Sequence, residues 1–198
     1  MGISRTWRSA ASALALAALA QGCGRATGGG ANSPAPAPAT LGRFRLSQVF
    51  VLEAAGVPPA DTAVTIQPGQ LRIVILRHEP PDNSDFVRLD FPAATFQSAG
   101  VPVRVTVRPL PGIYGVTVES SAPIGPGASI TFKYPVHFTA PAQALKRFGG
   151  ARGFERLLSI GRDTGGGLFE FVESTRPAAD NLSAPLPSNG TYLVAAPR

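Results

Sequence analysis

The sequence predicts an all-β domain, an immunoglobulin-like antiparallel β-sandwich with one short helix, and three observations point to it. Residues 101–109 read Val-Pro-Val-Arg-Val-Thr-Val-Arg-Pro, which puts Val103, Val105 and Val107 on one face and Arg104, Thr106 and Arg108 on the other. This is the alternation of a half-buried strand. The 198 residues include 22 Gly and 20 Pro, a usage that favours turns and short strands over long helices. Apolar stretches recur at short spacing between Gly, Pro, Asn and Asp turns, the rhythm of a sandwich.

In chain order, strands are expected over 44–53, 63–66 and 71–77. The next is 86–91, where Val87, Leu89 and Phe91 alternate with Arg88 and Asp90. After 101–109 come 114–118, with Tyr114, Val116 and Val118 in phase, and 130–134, with Ile130, Phe132 and Tyr134 set against Thr131 and Lys133. The last expected strands are 157–160, 168–172 and 192–195. Ser188-Asn189-Gly190 has the chemistry of a tight turn joining paired strands. Only 140–148 has helical composition. No fixed-period repeat is present.

Composition narrows the function classes. Hydrophobic residues make up 44% and charged ones 15%, enough apolar material for a core and unlike a disordered chain. The length suits one ordinary domain of roughly 100–150 residues with appendages. The formal charge is +6, but with Arg5 and Arg8 set aside 16 of the 18 basic side chains remain against 12 acidic ones. That small excess, spread along the chain, speaks against nucleic acid and suits contact with anionic lipid or polysaccharide.

The N-terminus carries the clearest signal. Arg5 and Arg8 precede the apolar run from Ala10 to Ala20, a charged region followed by a short hydrophobic one, as in an export signal. The run is shorter than the about 20 residues a bilayer-spanning helix needs. It ends in Leu19-Ala20-Gln21-Gly22-Cys23, which resembles the lipobox of bacterial prolipoproteins, and Cys23 is the chain's one cysteine. A thiolate is nucleophilic enough to accept a diacylglyceryl group. The resemblance implies cleavage before Cys23, acylation of its new amino group and a stable anchor, since two or more acyl chains suffice to hold a protein on a membrane. Residues 24–40, Gly- and then Pro-Ala-rich, read as a tether; the Pro-Ala part extends by about 3.1 Å per residue. Gly24 after the cysteine implies, by the same resemblance, sorting to the outer membrane.

A second resemblance rests on Val87-Arg88-Leu89-Asp90-Phe91-Pro92-Ala93-Ala94, the alternating strand after it, and Ile130-Thr131-Phe132-Lys133-Tyr134-Pro135. Together they resemble the β-sandwich of ankyrins, netrin receptors and tight-junction proteins, also found in bacterial surface proteins. The tail, with Glu173-Ser174-Thr175, Ser183-Ala184-Pro185-Leu186 and Gly190-Thr191-Tyr192, resembles the strands that follow it in exported bacterial examples. The resemblance implies a binding or scaffolding module with no shared catalytic site.

Candidate chemistry is sparse. Asp163-Thr164-Gly165 matches the aspartic-protease triplet, in which two aspartates share a proton, and an exported enzyme of that kind is the alternative reading. Its flanks, Gly161-Arg162 and Gly166-Gly167, have the composition of a hairpin turn, and no second triplet occurs. His78 and His137 are the only histidines and lack the paired spacing of a zinc site. The stretch from His78 through Asp85 is expected to be a solvated turn, since it lacks the full ligand pattern of a calcium loop. No Gly-x-Ser-x-Gly and no P-loop Lys-Ser/Thr is present, so no catalytic residue, metal or cofactor is expected.

The densest basic stretch runs from Lys146 to Arg156. Lys146, Arg147, Arg152 and Arg156 are the candidate ligand contacts, and Phe148 and Phe154 are candidates to stack on a ligand; otherwise this glycine-rich stretch is expected to be a mobile loop. The expected organisation is a signal peptide over 1–22, a lipidated Cys23 and tether over 23–40, and a β-sandwich over 41–198. The expected protein is a lipid-anchored envelope lipoprotein that is not an enzyme, held to the membrane by its anchor, with an envelope protein, a glycan or anionic lipid as further partner.

Overall fold

The computed structural model describes residues 42–134 and 138–198; the export segment, Cys23, the tether and His137 lie outside the described residues. The strands are β1 Arg43–Arg45, β2 Val49–Val51, β3 Glu53–Ala54, β4 Thr62–Ile66, β5 Arg72–Arg77, β6 Asp85–Phe91, β7 Val103–Pro109 and β8 Gly115–Ser120. They continue as β9 Ser129–Lys133, β10 Phe138–Thr139, β11 Ser159–Gly165, β12 Leu168–Phe171, β13 Asn181–Pro185 and β14 Gly190–Pro197. Two short helices, α1 Ala142–Phe148 and α2 Ala151–Glu155, stand between β10 and β11. The ladders are antiparallel, so the domain is an all-β sandwich.

The larger sheet runs β1-β12-β11-β14-β8-β7-β4, and the smaller runs β13-β9-β6-β5. Their inner faces follow from the period-two pattern. Val103, Val105 and Val107 of β7 and Val116 and Val118 of β8 are fully buried, as are Leu89 of β6 and Ile130 and Phe132 of β9. All belong to one apolar core, joined by Tyr192, Val194 and Ala196 of β14. Burial is worth roughly 1.5–3 kcal/mol for each large apolar side chain. The opposite positions, Arg104, Arg88 and Glu119, face water. At the start of β6 the alternation slips: the β5 ladder shifts register between Leu76 and Arg77, so Phe86 and Val87 are both buried. The extra residue of such a bulge re-aims a side chain, and here Phe86 stacks on Tyr114 with centroids 5.2 Å apart.

The expected strand over 44–53 is broken into three. The Arg45 N–H donates to the Gln48 side chain at 2.8 Å, closing a 3₁₀ turn over Leu46–Gln48. This turn curls the larger sheet. β1 pairs with β12 at the sheet's end, while β2 pairs with residues 195–197 of β14, beside the 190–193 stretch that β8 takes. Flat, with strands about 4.8 Å apart, β1 and β2 would sit about 19 Å from one another. The step from Arg45 to Val49 reaches about 14 Å at most. The sheet therefore wraps on itself and encloses a second core of Val49, Phe169, Phe171, Leu193 and Ala195. Gly161 makes room for it, because a Cβ at that position would collide with the Phe169 ring.

Two further differences concern connections. Asn181–Pro185 forms a strand that period-two reading passes over, because only Leu182 and Ala184 alternate inward. The 188–190 turn does not join paired strands: it carries the chain from β13 in one sheet to β14 in the other. The Tyr192 hydroxyl secures it by donating to the Ser188 carbonyl at 2.7 Å, and the Asn189 side chain donates to the Ser120 carbonyl at 3.0 Å. The contact is similar to the tyrosine corner of immunoglobulin-like sandwiches, in which a tyrosine hydroxyl bonds to backbone a few residues upstream.

The core assignment has a direct test. Val105→Asp places an unpaired carboxylate in the inter-sheet core at a cost of about 3–5 kcal/mol, a fall in Tm of about 10 °C or more for a chain of this size. Thr106→Lys, facing Glu119 across the β7–β8 ladder, should leave the melt within about 2 °C, as surface changes do. Thermal melts of the two variants that coincide would contradict the assignment.

Candidate functional site

The basic stretch folds as a tight helix pair and not as a mobile loop. α1 ends at Gly149, whose φ of 69° is the left-handed conformation of a helix C-cap, and Gly150 follows at φ 119°. Gly153 is needed because a Cβ there would run into the Phe148 carbonyl oxygen. The glycines that suggest mobility are thus the residues that let two helices turn in so little chain.

Apolar contacts fix this corner. Phe148 and Phe154 stack on each other at 6.1 Å, and both stand edge-on to Phe50 of β2, at 6.0 and 6.4 Å. Phe154 is fully buried. Phe154 therefore belongs to the core and presents no face to a ligand, which corrects its expected stacking role, while Phe148 is half-buried against the core with the Arg147 guanidinium 5.8 Å from its ring. Lys146, Arg147, Arg152 and Arg156 are all exposed, and among the described residues none of them is in a salt bridge. Lys146 and Arg147 occupy the last turn of α1, where a cation is favoured by the helix dipole.

Two more arginines join the corner. Arg198 stacks over the Phe50 ring at 4.7 Å and donates to the Val49 carbonyl at 3.2 Å. Arg176 donates to the Tyr134 hydroxyl at 2.7 Å, to the Leu158 carbonyl at 3.0 Å and to the Glu155 carbonyl at the end of α2. Tyr134 in turn donates to the Glu155 carboxylate at 3.3 Å. Burial pushes the Tyr134 hydroxyl pKa up, against the opposing pull of Arg176, so it remains a donor at neutral pH. Glu155, the one acid of the stretch, is thus occupied, and the exposed charge of the corner is cationic. Neither arginine was legible as a partner of 146–156: one lies twenty residues on, the other at the last position.

The remaining candidates resolve into structure. Asp163-Thr164-Gly165 ends β11 at a hairpin, where the Asp163 carboxylate accepts the Gly165 N–H at 2.8 Å and glycines 165–167 all have positive φ. His78 departs from the expected solvated turn: its side chain is buried, edge-on to Phe86 at 5.4 Å. Glu79 and Asp82 nearby are exposed. Among the described residues no three His, Cys, Asp or Glu side chains converge as metal ligands, and no helix is long and apolar enough to cross a membrane.

An open groove of about 430 Å³ lies along β13, lined by Gly127, Ser129, Glu173, Thr175, Ser183 and Pro185 among others. Its lining comes from three separate segments, so no local motif announces it. The Ser183 hydroxyl already accepts from Thr131 at 3.0 Å.

No family model, curated protein or solved structure matches the chain. What the geometry of the corner shows is an exposed cationic surface, which attracts phosphate and carboxylate groups.

The split between bonded and solvent-facing arginines is measurable. Arg176→Met would leave two carbonyls and the Tyr134 hydroxyl short of a donor, an expected loss of about 1–3 kcal/mol. Arg152→Met should change stability by less than about 0.5 kcal/mol. Denaturant unfolding in which both variants lose equally would contradict this geometry.

Proposed function

We propose that this chain is an exported lipoprotein, held on an envelope membrane through lipidated Cys23, whose non-catalytic β-sandwich serves as a binding or structural module. The observation that carries the proposal is Cys23 itself, the chain's only cysteine, directly after Leu19-Ala20-Gln21-Gly22 and the Arg-flanked apolar run. The Gly-rich and Pro-Ala-rich composition of 24–40, between Cys23 and the sandwich, is that of a tether. Gly24 directs the anchored protein to the outer membrane.

The reading of the sandwich as a module without chemistry is supported by how its polar groups are used. Asp163 holds its own turn, His78 packs on Phe86, and Glu155 is bonded to Tyr134. The resemblance to the ankyrin and netrin-receptor sandwich agrees with a scaffolding role. The surface proposed for contact is the α1–α2 corner, and its partner is the anionic headgroups of the membrane that carries the anchor. Near such a surface each Lys or Arg contributes about 1 kcal/mol.

Cys23→Ser should abolish incorporation of labelled palmitate and move the protein from the membrane to the soluble fraction; unchanged partitioning would sink the anchor. The corner is tested separately by sedimentation of the Cys23→Ser chain with vesicles containing anionic lipid. Replacing Lys146, Arg147, Arg152 and Arg156 by Ser should weaken binding at least about tenfold, and equal binding with and without the four cations would exclude the corner as the contact.

A further inference from the structure

The ends of the two sheets are not alike. β1 is curled back toward β2. β13 ends in Pro185 and is bridged on its outer side by Thr175, whose N–H donates to the Ser183 carbonyl at 2.8 Å. β4 is short and carries exposed Ala63 and Thr65. The curl, the proline and the outer bridge are usual ways of blunting an edge, and β4 offers no large exposed apolar side chain. β5 has none of them along its centre: among the described residues it pairs with β6 alone, and from Ile73 to Leu76 it has no charge and no proline. Leu71, Ile73 and Ile75 are 66%, 37% and 36% exposed. The outward N–H and C=O groups of such a strand are a template for another strand.

The segment is close to self-complementary. Leu71-Arg72-Ile73-Val74-Ile75-Leu76-Arg77, laid antiparallel on a second copy about Val74, sets Ile73 opposite Ile75, Arg72 opposite Leu76 and Arg77 opposite Leu71. Every arginine of one copy meets a leucine of the other, so no like charges face each other across the new ladder. The neighbouring charges are already paired: Arg77 with Asp85 at 2.7 Å, and Arg88 with Asp90 in a two-pronged contact of 2.6–3.0 Å. Ile73 and Ile75 from both copies form one apolar patch on the outer face, where directly opposed side chains stabilise a sheet.

We infer that β5 is a homodimerisation edge: two copies of this chain pair antiparallel through 71–77, joining their smaller sheets into one continuous eight-stranded sheet. The pairing is independent of the lipid anchor and of the basic corner. It is isologous, the symmetry that closes on itself and does not propagate into fibres.

Sedimentation velocity of the full chain in detergent should give a dimer at micromolar concentration. Ile73→Lys/Ile75→Lys, at positions already partly in water, should return it to a monomer with the thermal melt retained. Should that variant fail to fold, Ile73→Cys/Ile75→Cys in the Cys23→Ser background keeps the pairing and should oxidise to a covalent dimer. Leu71→Cys alone, which faces Arg77 of the other copy, should not. A chain that stays monomeric at high micromolar concentration would overturn self-pairing and leave the edge to an extended segment of a different protein. A dimer that survives both lysines, or cross-links equally through Leu71→Cys, would overturn it as well.

Discussion

With a single cysteine at position 23, no disulfide can staple residues 42–198, and the domain depends on the apolar contact between its two sheets. That contact imposes the strict alternation of β6, β7, β8 and β9. A one-residue slip in any of them would turn polar side chains inward and apolar ones to water; in β7 these are Arg104 and Arg108 against Val103, Val105 and Val107. The departure at the start of β6 is absorbed by the bulge that buries Phe86 against Tyr114. The outer face of each sheet is then free to carry charge, Arg88 with Asp90 on the smaller sheet and Arg108 with Glu119 on the larger.

The cationic corner follows from the same constraint through the curl of the larger sheet. The 3₁₀ turn at 46–48 brings β2 onto β14, which positions Phe50; Phe50 receives Phe148 and Phe154, and these hold α1 and α2. The chain's final residue completes the site by laying its guanidinium over Phe50. A surface held this way presents Lys146, Arg147, Arg152 and Arg156 with little backbone entropy left to lose on binding. Arg176 and Arg198 serve the framework, while the other four cations face solvent.

The strands were legible wherever one face is buried and the other wet, because period two is then written into the side chains: β7 is the clearest case. The curl of β1 onto β2 was not legible, since it depends on one side-chain bond from Gln48 and on the space left by Gly161, neither of which alters the pattern. β13 was hidden because only two small or medium apolar side chains, Leu182 and Ala184, alternate inward along it. The four cations of the corner were visible as a cluster, but Gly149, Gly150 and Gly153 read as flexibility where they enable close packing. Asp163 was rightly read as turn chemistry because glycines flank it. His78 was misplaced, because a histidine beside Glu, Pro and Asp looks solvated until the β6 bulge supplies Phe86 as its neighbour. β5 was legible as a strand, and its unpaired edge was not, since the strand order at a sheet's end is a property of topology and not of the segment.

The measurement that bears most directly on lipid anchoring is the mass of the mature N-terminal tryptic peptide, which cleavage after Arg25 would release as Cys23-Gly24-Arg25. An acylated cysteine at the first position, with diacylglyceryl on the thiol, is the expected result. A mature chain that begins at another residue, or one that begins at Cys23 with an unmodified thiol, would contradict it.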